Sequence, residues 1–208
     1  MAISSTSPAV AARCAHVRAG VGAATTQNVT DPRLGPQLLD ELAAGATAEL
    51  AIASVSAAAT FADHRQLSCV DADGRAAAWS GALALGRHGH GTGAQVAAAG
   101  NLLASDDVVP AMLAAFEAAV DADLPDRLLL ALESGLAAGG EAGPVRSAGL
   151  LVVEDVAWAT TDLRVDWNTD PVGELRLIWQ QWYPQARDYV TRALDPTSAP
   201  SYGVAGDV

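Results

Sequence analysis

In the stretch DLRVDW the apolar residues Leu163, Val165 and Trp167 alternate with Asp162, Arg164 and Asp166. That period of two predicts a strand with one covered and one polar face. The run AGLLVV, residues 148–153, is continuously apolar and predicts a strand covered on both faces. Ala2 and Ile3 read as the end of a buried strand; the hydroxyl residues Ser4, Ser5, Thr6 and Ser7 follow, and Pro8 stops it. Residues 17–27 (VRAGVGAATTQ) predict one strand of small residues, with Gly20 and Gly22 allowing a second backbone to come close. Residues 66–70 and 75–79 flank Asp71-Ala72-Asp73-Gly74, a hairpin signal in which Asp-Gly supplies the positive φ of the turn. GRHGHGTG reads as a loop, and residues 94–99 as a strand ending at Gly100-Asn101.

Helical patterns come in pairs. Residues 37–44 place Leu38, Leu39 and Leu42 inward and stop at Gly45, and Thr47 caps an alanine-rich helix to about residue 58. Asp106-Asp107 open a helix with Val109, Met112, Leu113 and Phe116 on one face. Asp123 and Pro125 open another, with the stripe Leu124, Leu128, Ala131 and Leu132, and Gly139-Gly140 end it. Pro171 begins a last helix carrying Leu175, Ile178, Trp179 and Trp182. Hairpin-like strands and paired helices predict the α+β class, with antiparallel sheets and helical layers outside them. One domain over residues 1–194 is expected, followed by a loose tail over 195–208 that turns to Pro, Ser, Gly and Asp.

Composition narrows the chemistry. The net charge is −12 and all 12 basic residues are arginine. An acidic surface repels nucleic acid and anionic lipid, so neither is expected as a partner. No lysine is present to act as a base or Schiff-base nucleophile. Cys14 and Cys69 are far apart and form no disulfide framework or zinc motif, which fits a reducing cytosol. No secretory signal or membrane-spanning run is read.

Six blocks, in order, carry a resemblance: SSTSPAVAARC, VRAGVGAATTQNVTDPRLGP, RQLSCVDADGRAAAWSG, AAGNLLASDDVVPAMLAAFE, LPDRLLLALESGLAAGGE and DLRVDWNTDPVGELR. Together they resemble a bacterial family of uncharacterised proteins with an N-terminal-nucleophile (Ntn) hydrolase-like fold, over residues 3–177. Some members carry a pilus- or fimbria-assembly label. The resemblance implies an αββα sandwich of two antiparallel sheets between helical layers. Family members begin with one extra strand and a turn before the segment matching AISS, and in many a threonine follows the initiator methionine. The resemblance thus implies a fold lacking its first strand and its usual nucleophile, either because the start used here falls late or because the element has been lost. In such enzymes the first residue attacks an amide carbonyl and its own α-amine, with an ordinary pKa of roughly 7.7–8.0, takes the proton. A methionine thioether cannot attack, and neither can alanine.

The expected reading is an amidohydrolase of a small amide or related C–N bond, without a cofactor, which is inactive unless residues upstream of Met1 supply the nucleophile. The alternative is a non-catalytic small-molecule binding or assembly protein on the same fold. Ser4 and Ser5 are the substitute hydroxyls; otherwise they end a strand and bond local backbone. Asn101, at a strand end, offers an amide for an oxyanion or caps its loop. Asp166, with Asp162 and Arg164, lines the cleft and orients a base, or forms a surface ion pair. Gln27, Arg65, Ser147 and Arg164 are the substrate-binding candidates, each set against a bland turn, salt-bridge or strand-entrance role. His88 and His90 lie two apart without a carboxylate or cysteine beside them, and no metal site is predicted. The aromatic patch Trp179, Trp182 and Tyr183 packs in the core or makes a dimer interface; a homodimer is expected.

Overall fold

The computed structural model describes residues 1–206. Its strands are β1 (Ala2–Ser5), β2 (Ala15–Arg18), β3 (Gly22–Gln27), β4 (Gln66–Asp71), β5 (Ala76–Ser80), β6 (Gly89–Gly93), β7 (Val96–Gly100), β8 (Ser147–Val153) and β9 (Ala159–Val165). Its helices are α1 (Ala11–Cys14), α2 (Leu34–Ala43), α3 (Ala48–Ala58), α4 (Val108–Ala118), α5 (Leu124–Ala137), α6 (Pro171–Trp182) and α7 (Ala186–Leu194). The strands form sheets in the orders β2-β3-β4-β5, β1-β8-β9 and β6-β7. Every ladder between these strands is antiparallel, as the sequence pattern predicts.

Alternation decides what each sheet face meets. On the four-stranded sheet, Ala24, Leu67, Cys69 and Ala77 pack against Leu38, Leu39, Leu42, Ala48, Ile52 and Val55 of α2 and α3. Thr25, Ser68 and Val70 alternate with them and turn to the opposite face. On the three-stranded sheet, Ala148, Leu150 and Val152 pack against Leu129 and Leu132 of α5 and Val172, Leu175 and Trp179 of α6. Leu151, on the other face, packs with Ile3, Val10, Ala11 and Cys14. The β6-β7 hairpin lies under α4, with Ala98 against Val108 and Val109, and Val96 against Phe116 and Ala131. Helix α5 therefore touches both β7 and the three-stranded sheet.

Local chemistry explains the ends of these elements. Thr47 Oγ1 accepts the Leu50 N–H, and Gly45 leaves α2 at φ 96°. Asp170 accepts the Gly173 N–H ahead of Pro171. Gly74, at φ 82°, closes the β4–β5 hairpin. A Cβ on Gly22 would strike the Val70 carbonyl, so β3 and β4 need a glycine there.

Several expectations are corrected. Residues 17–27 form two strands, not one: the chain reverses around Gly20, at φ 69°, and β2 pairs back on β3. The pattern hid this because both strands carry the same small residues. GRHGHGTG is not all loop; Gly89–Gly93 is β6, held by pairing with β7 across the Ala94-Gln95 turn. Helix α2 starts at Leu34, since Pro36 sits within its first turn, where no N–H is needed. Leu124 is exposed, so the α5 stripe runs through Leu129, Ala131 and Leu132. Helices α1 and α7 are additional. Trp167 lies past the end of β9 and is 63% exposed rather than facing the core with Val165. The tail expected over 195–208 carries bonds in its described part: Arg192 donates to the Pro200 carbonyl at 2.9 Å and lies 3.9 Å from the Tyr202 ring centre. Its last two residues, 207–208, lie outside the described residues.

Candidate functional site

Two adjoining cavities, of about 250 and about 510 Å³ and both partly open to solvent, share Ala2, Thr25, Ser68, Ala97 and Met112 in their walls. Ser4, Ser5, Gln27 and Asn101 all line the smaller one, so four of the residues singled out from sequence meet here. Hydroxyls are concentrated in the same wall. Thr25 Oγ1 and Ser68 Oγ share a hydrogen bond of 2.6 Å across β3 and β4. Ser5 Oγ accepts the Ser7 N–H at 3.1 Å, and Thr30 Oγ1 lies 3.3 Å from Cys14 Sγ.

The polar corner of the cavity is organised by Gln66, which is fully buried behind it. Its Nε2 donates toward Ser80 Oγ (2.8 Å) and the carbonyls of Gly100 (3.0 Å) and Gly89 (3.1 Å). Two backbone carbonyls fix which end of this amide is the nitrogen. Its Oε1 must then accept, and it does so from Gln27 Nε2 at 2.6 Å and Asn101 Nδ2 at 3.3 Å. Gln27 Nε2 also donates to the Ala99 carbonyl at 3.2 Å, so both of its N–H groups are engaged. What Gln27 offers the cavity is its acceptor Oε1. Asn101 keeps Oδ1 and its second N–H.

The other candidates sit elsewhere. Ser147 is fully buried and acts as a strut: its hydroxyl donates to the Ser7 carbonyl at 2.6 Å and accepts the Val10 N–H at 3.2 Å. It fixes the β1–α1 turn and lines neither cavity. Arg164 and Asp162 form a bidentate pair at 2.6 and 2.8 Å outside both cavities, and the Asp162 hydrogen bond raises the Arg164 pKa. Their register partners, Gly149 and Leu151, are covered, but β9 is the edge strand of its sheet, and while Val165 packs in the core, Asp162 and Arg164 are exposed. Asp166 is exposed past the strand end, where its carbonyl accepts the Ala9 N–H at 3.0 Å. Arg65 lines neither cavity, and its buried Nε has no partner among the described residues. His90 Nδ1 lies 2.9 Å from Ser80 Oγ, and His88 Nδ1 lies 3.0 Å from the Gly86 carbonyl. Among the described residues no three His, Cys, Asp or Glu side chains converge. Trp179 and Trp182 pack in the core cluster, and the Tyr183 hydroxyl donates to Asp123 at 2.8 Å.

Sequence reasoning passed over Gln66, Thr25 and Ser68. A signal was available: Gln66 and Ser68 alternate with Leu67 and Cys69 in a strand expected to be covered, and polar residues inside such a strand must be bonded or face a cavity. Backbone strain marks the same rim. Val29, at φ 50°, and Leu102, at φ 53°, hold left-handed conformations costly for side chains of their kind, and both line the smaller cavity. Asn28 supports that rim by donating to the His64 carbonyl at 2.7 Å and accepting the Leu85 N–H at 3.0 Å.

The chemical capacity of the site follows. Among the described residues, no cavity hydroxyl is hydrogen-bonded to a His, Asp or Glu side chain that could take its proton. Cys14 reaches the cavity wall, but burial pushes its thiol pKa up, which suppresses the nucleophilic thiolate. The Met1 amine donates to the Leu151 carbonyl at 2.6 Å, and burial lowers it to about 5. The site is built to form hydrogen bonds.

Comparison with known proteins places this geometry. A family model described as "Family of unknown function (DUF1028)" matches residues 1–175. The crystal structure of protein SPO2555 from Silicibacter pomeroyi, described with the same family designation, superposes with a TM-score of 0.83. It is 28% identical, and the match covers 90% of this chain and 82% of that one. No curated protein matches the chain significantly. Among the described residues no helix is long and apolar enough to cross a membrane.

Proposed function

The chain belongs to the DUF1028 family, whose function is unknown, and on that premise we propose that it binds an amide-bearing ligand in the cavity beside β1 and holds it without cleaving it. The observation that carries this reading is the amide relay. Gln66 fixes Gln27 and Asn101 so that two carbonyl-type acceptors and one N–H remain for a ligand. An amide is the group that complements this set, since it brings both a donor and an acceptor. Buried polar groups discriminate strongly, because a ligand lacking the matching group leaves them unpaired. Among the described residues no cavity hydroxyl is bonded to a side-chain base, and the Glu141 carboxylate in the wall accepts the Thr6 N–H instead, which favours binding over bond breaking.

A second reading is amide hydrolysis on an Ntn-like αββα sandwich. It is supported by the layering: helices α2 and α3 on the outer face of one sheet, α5 and α6 on the outer face of another, and the cavities among their inner faces. It requires an amine beside a hydroxyl or thiol at the cavity.

Titration calorimetry with acetamide, propionamide and N-acetylglycinamide separates the two. Binding is expected, weakened about tenfold in Gln27→Leu and in Asn101→Leu, with no ammonia released. Unchanged affinity in both variants would refute the relay as the recognition element. Steady ammonia release by the 208-residue chain would favour hydrolysis instead.

A further inference from the structure

Two charged side chains line the smaller cavity, Arg13 and Glu141, and both are half-buried. Among the described residues neither is in an ion pair, whereas most arginines of this chain meet a carboxylate or an aromatic ring. Each holds backbone instead. Arg13 Nη1 donates to the Pro8 carbonyl and, at 2.9 Å, to the Ala9 carbonyl. Glu141 Oε2 accepts the Thr6 N–H at 3.1 Å. Arg13 Nε and Nη2 keep their donors for another partner, and Glu141 Oε1 keeps its lone pairs.

These charges adjoin the amide relay. Glu141 pairs with Leu103 in an isolated antiparallel bridge, just past Asn101. Arg13 precedes Cys14, whose Sγ lies 3.3 Å from Thr30 Oγ1, just past Gln27. Both charges grip one short turn, Thr6 to Ala9, so they stand beside each other rather than at opposite ends of the cavity. None of the four groups is on β1: Gln27 ends β3, Asn101 follows β7, Arg13 is on α1 and Glu141 follows α5. At about 250 Å³ the cavity is smaller than the roughly 300–1,000 Å³ typical of drug-sized ligands, which suits a molecule no larger than an amino acid.

We propose that the ligand is a free α-amino acid whose side chain ends in an amide, with its carboxylate on Arg13, its ammonium on Glu141 and its amide on Gln27 and Asn101. The inference rests on the amide-binding reading above and names the class of amide. A half-buried charge without a counter-charge has lost part of its hydration, and a ligand of opposite charge restores the balance through charge-assisted hydrogen bonds. An α-amino acid carries its ammonium and carboxylate on one carbon, which matches two opposite charges set side by side. A dipeptide also has an amide and both charges, but its length holds the charges apart.

The test is titration calorimetry of the 208-residue chain with L-glutamine, L-asparagine, propionamide and glycylglycine. Glutamine or asparagine should bind at least about tenfold more tightly than propionamide and than glycylglycine. N-acetylglutamine, which lacks the ammonium, and glutaminamide, which lacks the carboxylate, should each lose about tenfold. Glu141→Gln keeps the acceptor for Thr6 and should bring glutamine and propionamide to the same affinity. If that variant does not fold, the modified ligands still decide. Glutamine and asparagine binding no more tightly than propionamide would overturn the proposal and leave the amide reading standing, and tighter binding of glycylglycine would overturn it as well. Norleucine, which has no amide, binding as tightly as glutamine would remove the amide reading and this proposal together. If none of these ligands binds, both fall.

Discussion

Replacing Gln66 by leucine removes the centre of the polar corner while nearly keeping its volume. Five hydrogen bonds end on this side chain, between 2.6 and 3.3 Å. They are not equivalent. The carbonyls of Gly89 and Gly100 keep their β6–β7 ladder partners, and Ser80 keeps His90. Gln27 keeps the Ala99 carbonyl, and Asn101 faces the cavity, where water reaches it. Counting about three full bonds at about 1 kcal/mol each gives a loss of about 3 kcal/mol. For a chain of this length that lowers the melting temperature by about 6–12 °C. Urea unfolding followed by circular dichroism should show a lower midpoint with an unchanged slope. Gln66→Glu sharpens the test. A carboxylate would face the Gly89 and Gly100 carbonyls in a buried site, so its folded pKa lies above the ordinary ~4.3. The folded state then holds the proton more tightly than the unfolded state, and stability falls as pH rises through that interval. Gln66→Glu should be worse than Gln66→Leu at pH 7 and recover toward pH 4. A loss below about 0.5 kcal/mol for Gln66→Leu, or a pH-independent Gln66→Glu, would refute the relay.

Both cysteines are buried, and burial raises both thiol pKa values, Cys69 to about 12. At pH 8 the Cys69 thiolate is then only about one part in ten thousand, so Ellman's reagent should react with neither thiol until guanidinium unfolds the chain. A rapid stoichiometric reaction in the native protein would contradict this burial. His16 sits against Gly35 with its Nε2 buried and without a partner among the described residues, and burial lowers its pKa from 6.5. Its folded pKa is depressed, so the stability it contributes is complete above pH 6.5 and is lost as pH falls through the folded value. His16→Phe keeps a ring in the same space and should flatten that acid limb of the stability curve in thermal melts; an unchanged limb would assign it to other groups.

The hairpin of β4 and β5 was legible because Asp-Gly and the flanking alternation both act over a few residues. The Thr47 cap, the apolar β8 and the split into antiparallel sheets were legible for the same reason. Strand β6 was not: GHGTG has little strand propensity, and pairing with β7 supplies what the residues lack. The polar face of DLRVDW was visible, but its burial was not. An edge strand and a central strand can carry the same alternation, and only the sheet order leaves Asp162 and Arg164 uncovered.

The candidate site divides along the same line. Ser4, Ser5, Gln27 and Asn101 stood out as polar residues at strand ends, and they share a cavity. Ser147 stood out equally and is a strut, because its neighbours across the chain are Ser7 and Val10 rather than a ligand space. By itself the sequence determined the local elements, the antiparallel class and the polar character of the strand ends, since these follow from residue type and spacing. Tertiary structure alone decided that Gln66 orders the amides and that Ser4, Ser5, Gln27 and Asn101 line one cavity. Those facts depend on residues dozens of positions apart meeting in space, and no period along the chain encodes such a meeting.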